Sequence, residues 1–331
     1  MPRKGWEIPQ RQATDEAAFF NRRKFIRQAG LGAIGLLSGC SYEKSFEPVH
    51  GQEAAPLQPG PAPTAPDTPG GGLYPAPLNP AFASLDRPLT TELSASRYNN
   101  FYEFSLGKSV YLFVDNFEPN PWTVEIAGLV QQPRTFDVDQ LIGLMDLEER
   151  LYRHRCVEAW SMALPWTGFP LQALIAAVQP LAAAKYLRFT SFFKPEQAPG
   201  QWDSPNLPWA YTEGLSMAEA TNELAFIATG IYGHELPKQH GAPLRLVTPW
   251  KYGYKGIKSI TKIEFTSEQP ATFWNTLVPE EYSFLSNVEP EVPHPRWSQA
   301  SERFIKGNNQ FDRLPTLPYN GYGEYVAHLY G

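Results

Sequence analysis

Seventeen residues, 56–72, limit where this chain can build a core. They hold Pro56, Pro59, Pro61, Pro63, Pro66 and Pro69, and they end on Gly70-Gly71-Gly72. Proline removes a backbone donor and glycine leaves the backbone unrestrained, so neither helix nor ladder is favoured. No apolar periodicity runs through 48–80, and the stretch reads as an extended or unstructured spacer. We therefore assign residues 41–84 to a linker. The fold must come from residues 85–331, and roughly 245 residues lie within the limit for one hydrophobic core.

What precedes the linker reads as an address. Asn21-Arg22-Arg23-Lys24-Phe25-Ile26-Arg27 has the form of a twin-arginine export signal, with a mild apolar stretch after it at 29–37. That stretch is too short to span a bilayer, which takes ~20 residues. Leu37-Ser38-Gly39-Cys40 then resembles a lipobox, in which Cys40 becomes a lipidated first residue. The alternative is ordinary cleavage nearby. Residues 1–40 are thus expected to be a signal peptide, and the mature protein periplasmic, with a lipid anchor at Cys40 as the lipobox reading. Twin-arginine export carries folded proteins, which favours an enzyme loaded with a cofactor before it crosses the membrane.

The first 39 residues hold seven basic and three acidic groups. Without them the chain carries 21 basic against 31 acidic residues, or −10. An acidic body with a basic leader argues against a nucleic-acid partner.

Beyond the linker, strand and helix signals interleave irregularly. Strands are expected at 122–129, 186–193, 224–229, 244–248 and 259–265. Helices are expected from an Asp137 cap through 147 and over 170–178, with a short one opened by a capping box at Ser216-Met217-Ala218-Glu219. There is no internal repeat and no glycine-rich dinucleotide fingerprint. The fold class is α+β, one mixed-sheet domain.

The chain has two cysteines, Cys40 and Cys156, so no disulfide framework is expected. Cys156 lies in Tyr152-Arg153-His154-Arg155-Cys156-Val157-Glu158-Ala159-Trp160. If this segment is extended, His154, Cys156 and Glu158 share one side and the two arginines the other. Basic neighbours favour the thiolate, a donor suited to a soft or high-valent metal. A buried, inert cysteine is the bland reading, and the flanking arginines weigh against it. A redox thiol paired with His154 lacks a resolving partner, since Cys40 lies across the linker. Zinc lacks a second cysteine or a close histidine pair.

Arg153 through Trp160 resembles the molybdenum-ligand segment of the sulfite-oxidase superfamily. More closely, the chain is similar to the periplasmic protein-methionine-sulfoxide reductase catalytic subunits, which use molybdopterin. The likeness includes Tyr98-Asn99-Asn100-Phe101-Tyr102-Glu103-Phe104, Gly200-Gln201, Gly241-Ala242-Pro243-Leu244-Arg245-Leu246-Val247 and the run from Pro249 to Ile260. The resemblance implies a sulfite-oxidase-type molybdopterin-binding domain with one molybdenum-molybdopterin per chain. It implies that Cys156 is the one protein ligand to molybdenum. Asn99, Tyr102 and Glu103 would contact the cofactor. So would Ser191, where the family often has Thr, and His240, where it often has Asn. Arg245 with Gly256, Ile257 and Lys258 would hold the phosphate end, and Gly253, Lys251 and Lys255 support the same expectation on physical grounds. Glu158 and Asn99 are the candidates for the catalytic side of the metal, with Glu158 relaying a proton or, alternatively, bridging a neighbouring arginine.

The implied reaction is reduction of methionine sulfoxide residues in oxidised envelope proteins, a repair of a reversible lesion. The sequence holds no Cys-x-x-Cys-His haem site, so the resemblance implies electrons from a haem-containing inner-membrane subunit. Sulfite oxidation is the rival within enzymes, and a lipid-tethered envelope binding protein is the rival outside them. About 70 residues follow Ile260, few for the extra domain that sulfite oxidases carry.

Overall fold

The computed structural model describes residues 72–308 and 310–331. The expected export leader, the Cys40 lipobox and most of the linker lie outside the described residues.

Among the described residues, twelve strands form two sheets, which sharpens the expected α+β class. The first sheet has the order β2-β1-β10-β5-β6. Its members are β1 (Thr123–Gly128), β2 (Arg134–Asp137), β5 (Tyr186–Thr190), β6 (Thr212–Ser216) and β10 (Lys262–Thr266). The second runs β12-β11-β4-β7-β8, with β3 paired to β4 and β9 to β7. It contains β3 (Glu148–Arg155), β4 (Trp160–Pro170), β7 (Phe226–Ile231), β8 (His234–Glu235), β9 (Arg245–Val247), β11 (Ser301–Gly307) and β12 (Gln310–Pro315). Both sheets are mixed, because β1–β10 and β11–β4 are parallel and the other pairs antiparallel.

The helices are short. They include α1 (Glu92–Arg97), α2 (Val138–Gly143), α3 (Leu171–Val178), α4 (Pro199–Asp203), α5 (Met217–Ala220) and α6 (Phe273–Leu277). Asp137 caps α2 as expected, its side chain accepting from the Asp139 N–H at 2.9 Å. The helix stops at Gly143 rather than 147, because the chain then turns into β3. Ser216 and Glu219 form the expected reciprocal capping box on α5.

Strand β4 is the spine of the second sheet. Ten of its eleven residues are buried, so it shows no alternation for sequence reasoning to find. It pairs with β3 along Glu148–Arg155, with β7 at its far end and with β11 at its start. Residues 301–315 complete this sheet rather than founding a second domain.

Residues 72–84 fall inside the expected linker, yet they already pack on the domain. The Tyr74 hydroxyl donates to the Thr229 carbonyl at 3.0 Å, Leu78 bridges Glu149, and Phe82 is buried against Tyr152. The proline content hid these apolar anchors.

One aromatic cluster matters for the site. Phe101 and Phe104 meet at 4.8 Å, Phe104 meets Phe117 at 5.3 Å, and Phe117 meets Phe192 at 4.8 Å. Such pairs stabilise by ~1 kcal/mol each beyond the area they bury. They anchor the loop that carries Asn99 to Glu103.

Candidate active site

Strand β3 ends at Arg155, and Cys156 opens a tight turn into β4. The Cys156 N–H donates to the Trp160 carbonyl at 2.9 Å, and the Ala159 N–H to the Cys156 carbonyl at 3.0 Å. Ala159 takes a φ of 62°, a left-handed conformation that costs a non-glycine residue free energy. The expected face-by-face alternation therefore stops at Arg155. What brings Cys156 and Glu158 together is the turn: the Glu158 N–H points at the Cys156 Sγ at 3.4 Å.

Cys156 is 4% exposed, on the wall of a cleft with about 880 Å³ of empty space, part of it open to solvent. The Asn100 Nδ2 donates to the same sulfur at 3.3 Å and to Glu158 Oε2 at 3.3 Å. Two donors on one sulfur favour the thiolate. Asn100, rather than the Asn99 expected on sequence grounds, is the amide at the sulfur. Asn99 also lines the cleft, but its Nδ2 is spent on the Ala95 carbonyl at 2.9 Å.

The arginines beside Cys156 in sequence turn elsewhere. Arg153 binds Asp86 at 2.9 Å and the Asn320 carbonyl at 2.8 Å. Arg155 is fully buried, paired with Glu302 at 3.2 Å and bonded to Gln299 Oε1 at 2.9 Å. Arg155 also donates to the Cys156 carbonyl, so it holds the turn through its backbone. The arginines next to Glu158 in sequence are thus engaged elsewhere. Besides Asn100, Glu158 meets Lys108, the Trp160 indole at 3.1 Å and, more weakly, the Tyr102 hydroxyl at 3.5 Å. Lys108 escaped sequence reasoning, since nothing in its spacing distinguishes it from a surface lysine.

A second part of the cleft lining is cationic. Arg245 and Lys258 both line it, with His154, His240 and Ile257. Arg245 is 5% exposed, stacked 4.8 Å over the Trp166 ring. Its guanidinium bonds are to carbonyls, His240 at 3.1 Å and Gly256 at 3.3 Å. Burial lowers its pKa to about 10, so it stays charged at neutral pH. Lys258 has Glu103 as its counter-charge; burial drives the ammonium down and the carboxyl up, and their attraction opposes both. The Lys258–Glu103 pair is neutral taken together, so the charged Arg245 leaves this part of the wall net positive. The His240 Nε2 and Asn99 Oδ1 atoms are buried and unpartnered here. Buried polar atoms are normally satisfied, so a ligand bearing negative charge and hydrogen-bonding groups fits this end.

Glycines make the cationic end possible by leaving room. A Cβ on Gly256 would lie 2.8 Å from Arg245 Nη2, and one on Gly253 would lie 2.6 Å from the His154 ring. Ser191 stands behind the wall, its hydroxyl donating to the Lys258 carbonyl at 2.8 Å and supporting Glu103. Lys251 and Lys255, expected to add charge for a phosphate, do not reach the cleft. They form buried pairs with Glu219 and Glu213.

Among the described residues, no group of three or more His, Cys, Asp or Glu side chains could hold a metal ion. A metal at Cys156 therefore needs donors from a cofactor. The model for the oxidoreductase molybdopterin binding domain family matches residues 111–274. The protein-methionine-sulfoxide reductase catalytic subunit MsrP of Burkholderia mallei is 45% identical over 328 residues, covering 98% of this chain and 94% of that protein. The crystal structure of the sulfane dehydrogenase SoxCD from Paracoccus pantotrophus shares 16% identity and a TM-score of 0.39 over 46% of this chain and 40% of that one, too little to carry an argument.

Proposed function

The chain belongs to the family of protein-methionine-sulfoxide reductase catalytic subunits, and from that membership we propose that it reduces methionine sulfoxide residues in oxidised envelope proteins. Its cofactor is molybdenum-molybdopterin. The cleft fits such a group: its lining holds the thiol of Cys156 together with positive charge and the unpartnered His240 and Asn99 atoms.

The observation that carries the reading is the Cys156 sulfur, held on the cleft wall by the Asn100 amide and the Glu158 N–H. Cys156 would be the protein ligand to molybdenum. Arg245 and Lys258 would hold the pterin phosphate, with the Gly256–Ile257 backbone beside them. Asn99, Tyr102, Glu103 and His240 would contact the rest of the cofactor, and Ser191 would support Glu103. When bound, the cofactor supplies the two-electron chemistry that takes oxygen from sulfur, so that a sulfoxide, two electrons and two protons give a thioether and water. The Glu158 carboxylate lines the same wall and would hold a proton for the leaving oxygen. The aromatic wall of Tyr102, Trp274 and Tyr282 offers ring contacts to a thioether.

The two cysteines of the chain cannot supply a covalent haem site beside a metal-bound Cys156, so the electrons come from another protein. A haem-containing inner-membrane subunit is the donor this reading calls for. Export by the twin-arginine route, a periplasmic location and an anchor at Cys40 belong to the same proposal. Among the described residues, no helix is long and apolar enough to cross a membrane. Steady-state assays with peptide methionine sulfoxide and with sulfite test the function. Sulfoxide turnover by protein with near-stoichiometric molybdenum is expected; strong sulfite turnover without sulfoxide turnover overturns it, and protein purified without molybdenum and pterin points to a binding role. Incorporation of labelled lipid should be lost in Cys40→Ala.

A further inference from the structure

We propose that Lys108 is a positioning residue for the reaction: its ammonium fixes which end of the Asn100 amide faces the Cys156 sulfur, and it holds the Glu158 carboxylate beside that amide. The inference rests on the reading of Cys156 as the metal ligand.

The two ends of an asparagine amide are nearly the same size but opposite in hydrogen bonding. Its partners decide which end points where. An ammonium has donors and no acceptor, so only the Asn100 Oδ1 can turn towards Lys108. The bond between them fixes the amide, and the Nδ2 then donates to the Cys156 Sγ at 3.3 Å and to Glu158 Oε2 at 3.3 Å. The reversed amide would set an oxygen lone pair against sulfur. Lys108 also binds Glu158 Oε2, so one ammonium sets both the amide that donates to the sulfur and the carboxylate that accepts from that amide. Its positive charge offsets the carboxylate and lessens the repulsion between Glu158 and a thiolate.

Lys108 does this from behind the cleft wall. The cleft is lined by Asn100, Glu158, Tyr98 and Trp160, and not by Lys108, whose side chain is 14% exposed. The ammonium sits 5.8 Å from the Tyr98 ring and 5.6 Å from the Trp160 ring, and the Trp160 indole donates to the same Glu158 oxygen. A tight return of the chain delivers it. Phe101 bridges Ser105, the Gly107 N–H donates to the Ser105 hydroxyl at 3.0 Å, and the Asn99 N–H donates to the Lys108 carbonyl at 3.0 Å. Phe101 and Phe104 anchor this return in the aromatic cluster.

The test uses the full-chain holoenzyme and the Lys108→Met and Lys108→Arg variants. Molybdenum content, the electron paramagnetic resonance spectrum of the partly reduced metal, and kcat and KM for peptide methionine sulfoxide are measured. Lys108→Met is expected to keep its molybdenum, to alter the spectrum and to lower kcat roughly 10- to 100-fold, with KM little changed, as for other supports of metal ligands. Lys108→Arg, which keeps a cation and its donors, should recover most of both. In an Asn100→Ala background, Lys108→Met should add less than it does alone, since the two act through one contact. A Lys108→Met enzyme with wild-type spectrum and kcat overturns the proposal, as does full additivity with Asn100→Ala. If Lys108→Met does not fold, Lys108→Gln takes its place: an altered spectrum supports the assignment and a wild-type spectrum refutes it. Wild-type protein that holds no molybdenum or reduces no sulfoxide would instead sink the functional reading beneath.

Discussion

The two ends of the cleft solve opposite electrostatic problems. At the sulfur end, protein groups satisfy one another: Asn100, Lys108, Glu158 and Trp160 form a connected set of hydrogen bonds around Cys156. At the cationic end, Arg245 has only carbonyl partners, and the buried His240 Nε2 and Asn99 Oδ1 atoms have none. Unsatisfied buried groups cost free energy unless a ligand meets them. The sulfur end is therefore preorganised before any cofactor arrives, whereas the cationic end is completed by it. On the proposed reading, the sulfur side would set the chemistry and the cationic side would set retention.

Cys156→Ser should break the first half of that contrast. Oxygen is a poor substitute for a thiolate donor, and loss of sulfoxide reduction on the order of 10³-fold or more is expected. The melting temperature of cofactor-free protein should stay close to wild type, because Ser is small and the turn is held by backbone bonds. Full activity in this variant would refute the ligand assignment. Next in size is Lys255→Met, which tests whether the other lysines of the same run belong to the frame. Lys255 and Glu213 form a pair at 3.0 Å, each 0–1% exposed. Removing one partner of a buried pair should cost about 3–5 kcal/mol of stability in denaturant titrations. Molybdenum content per folded molecule should not change; a selective loss of cofactor would move Lys255 into the site. Arg245→Met should do the reverse. Pterin and molybdenum retained after gel filtration should fall roughly tenfold or more, as expected for loss of a charge-assisted contact. Cofactor-free protein should be as stable as wild type or more so, because a buried cation without a carboxylate is gone. Unchanged retention would remove the argument for an anion at this end.

The sequence made the centre of the site legible and left its surroundings dark. Cys156 stood out because a lone cysteine in a basic segment needs a reason, and Arg245 and Lys258 entered through the family resemblance. Composition cannot show where a charge goes. Arg153 and Arg155 looked like the thiol's partners but serve Asp86 and Glu302. Lys251 and Lys255 looked like phosphate ligands but neutralise Glu219 and Glu213. Each of these acids is distant in sequence, and only the folded chain brings them near. The same limit hid Lys108. Among the elements, strands with one wet face, such as β1, could be read, whereas β4 could not, because burial on both faces erases period-two alternation.

The smallest expected effect is a pH dependence confined to the cationic end. His240 is 4% exposed, and burial, aided by Arg245, lowers its pKa from 6.5 to about 3. The fold therefore refuses a proton that the unfolded chain accepts. The sign follows: the stability from neutral His240 is present above pH 6.5 and is lost as pH falls from there towards about 3. The slope is at most about 1.4 kcal/mol per pH unit for one group. His240→Asn removes the titrating group while keeping a polar side chain. In cofactor-free protein, denaturant midpoints measured from pH 7 down to pH 4 should fall less steeply in His240→Asn than in wild type. A bound anion would favour the imidazolium and raise the folded pKa, so the holoenzyme should show a smaller difference between the two. Equal slopes for wild type and variant in the cofactor-free protein would mean that His240 is not held neutral, and the contrast between a closed sulfur end and an unfinished cationic end would lose its titratable half.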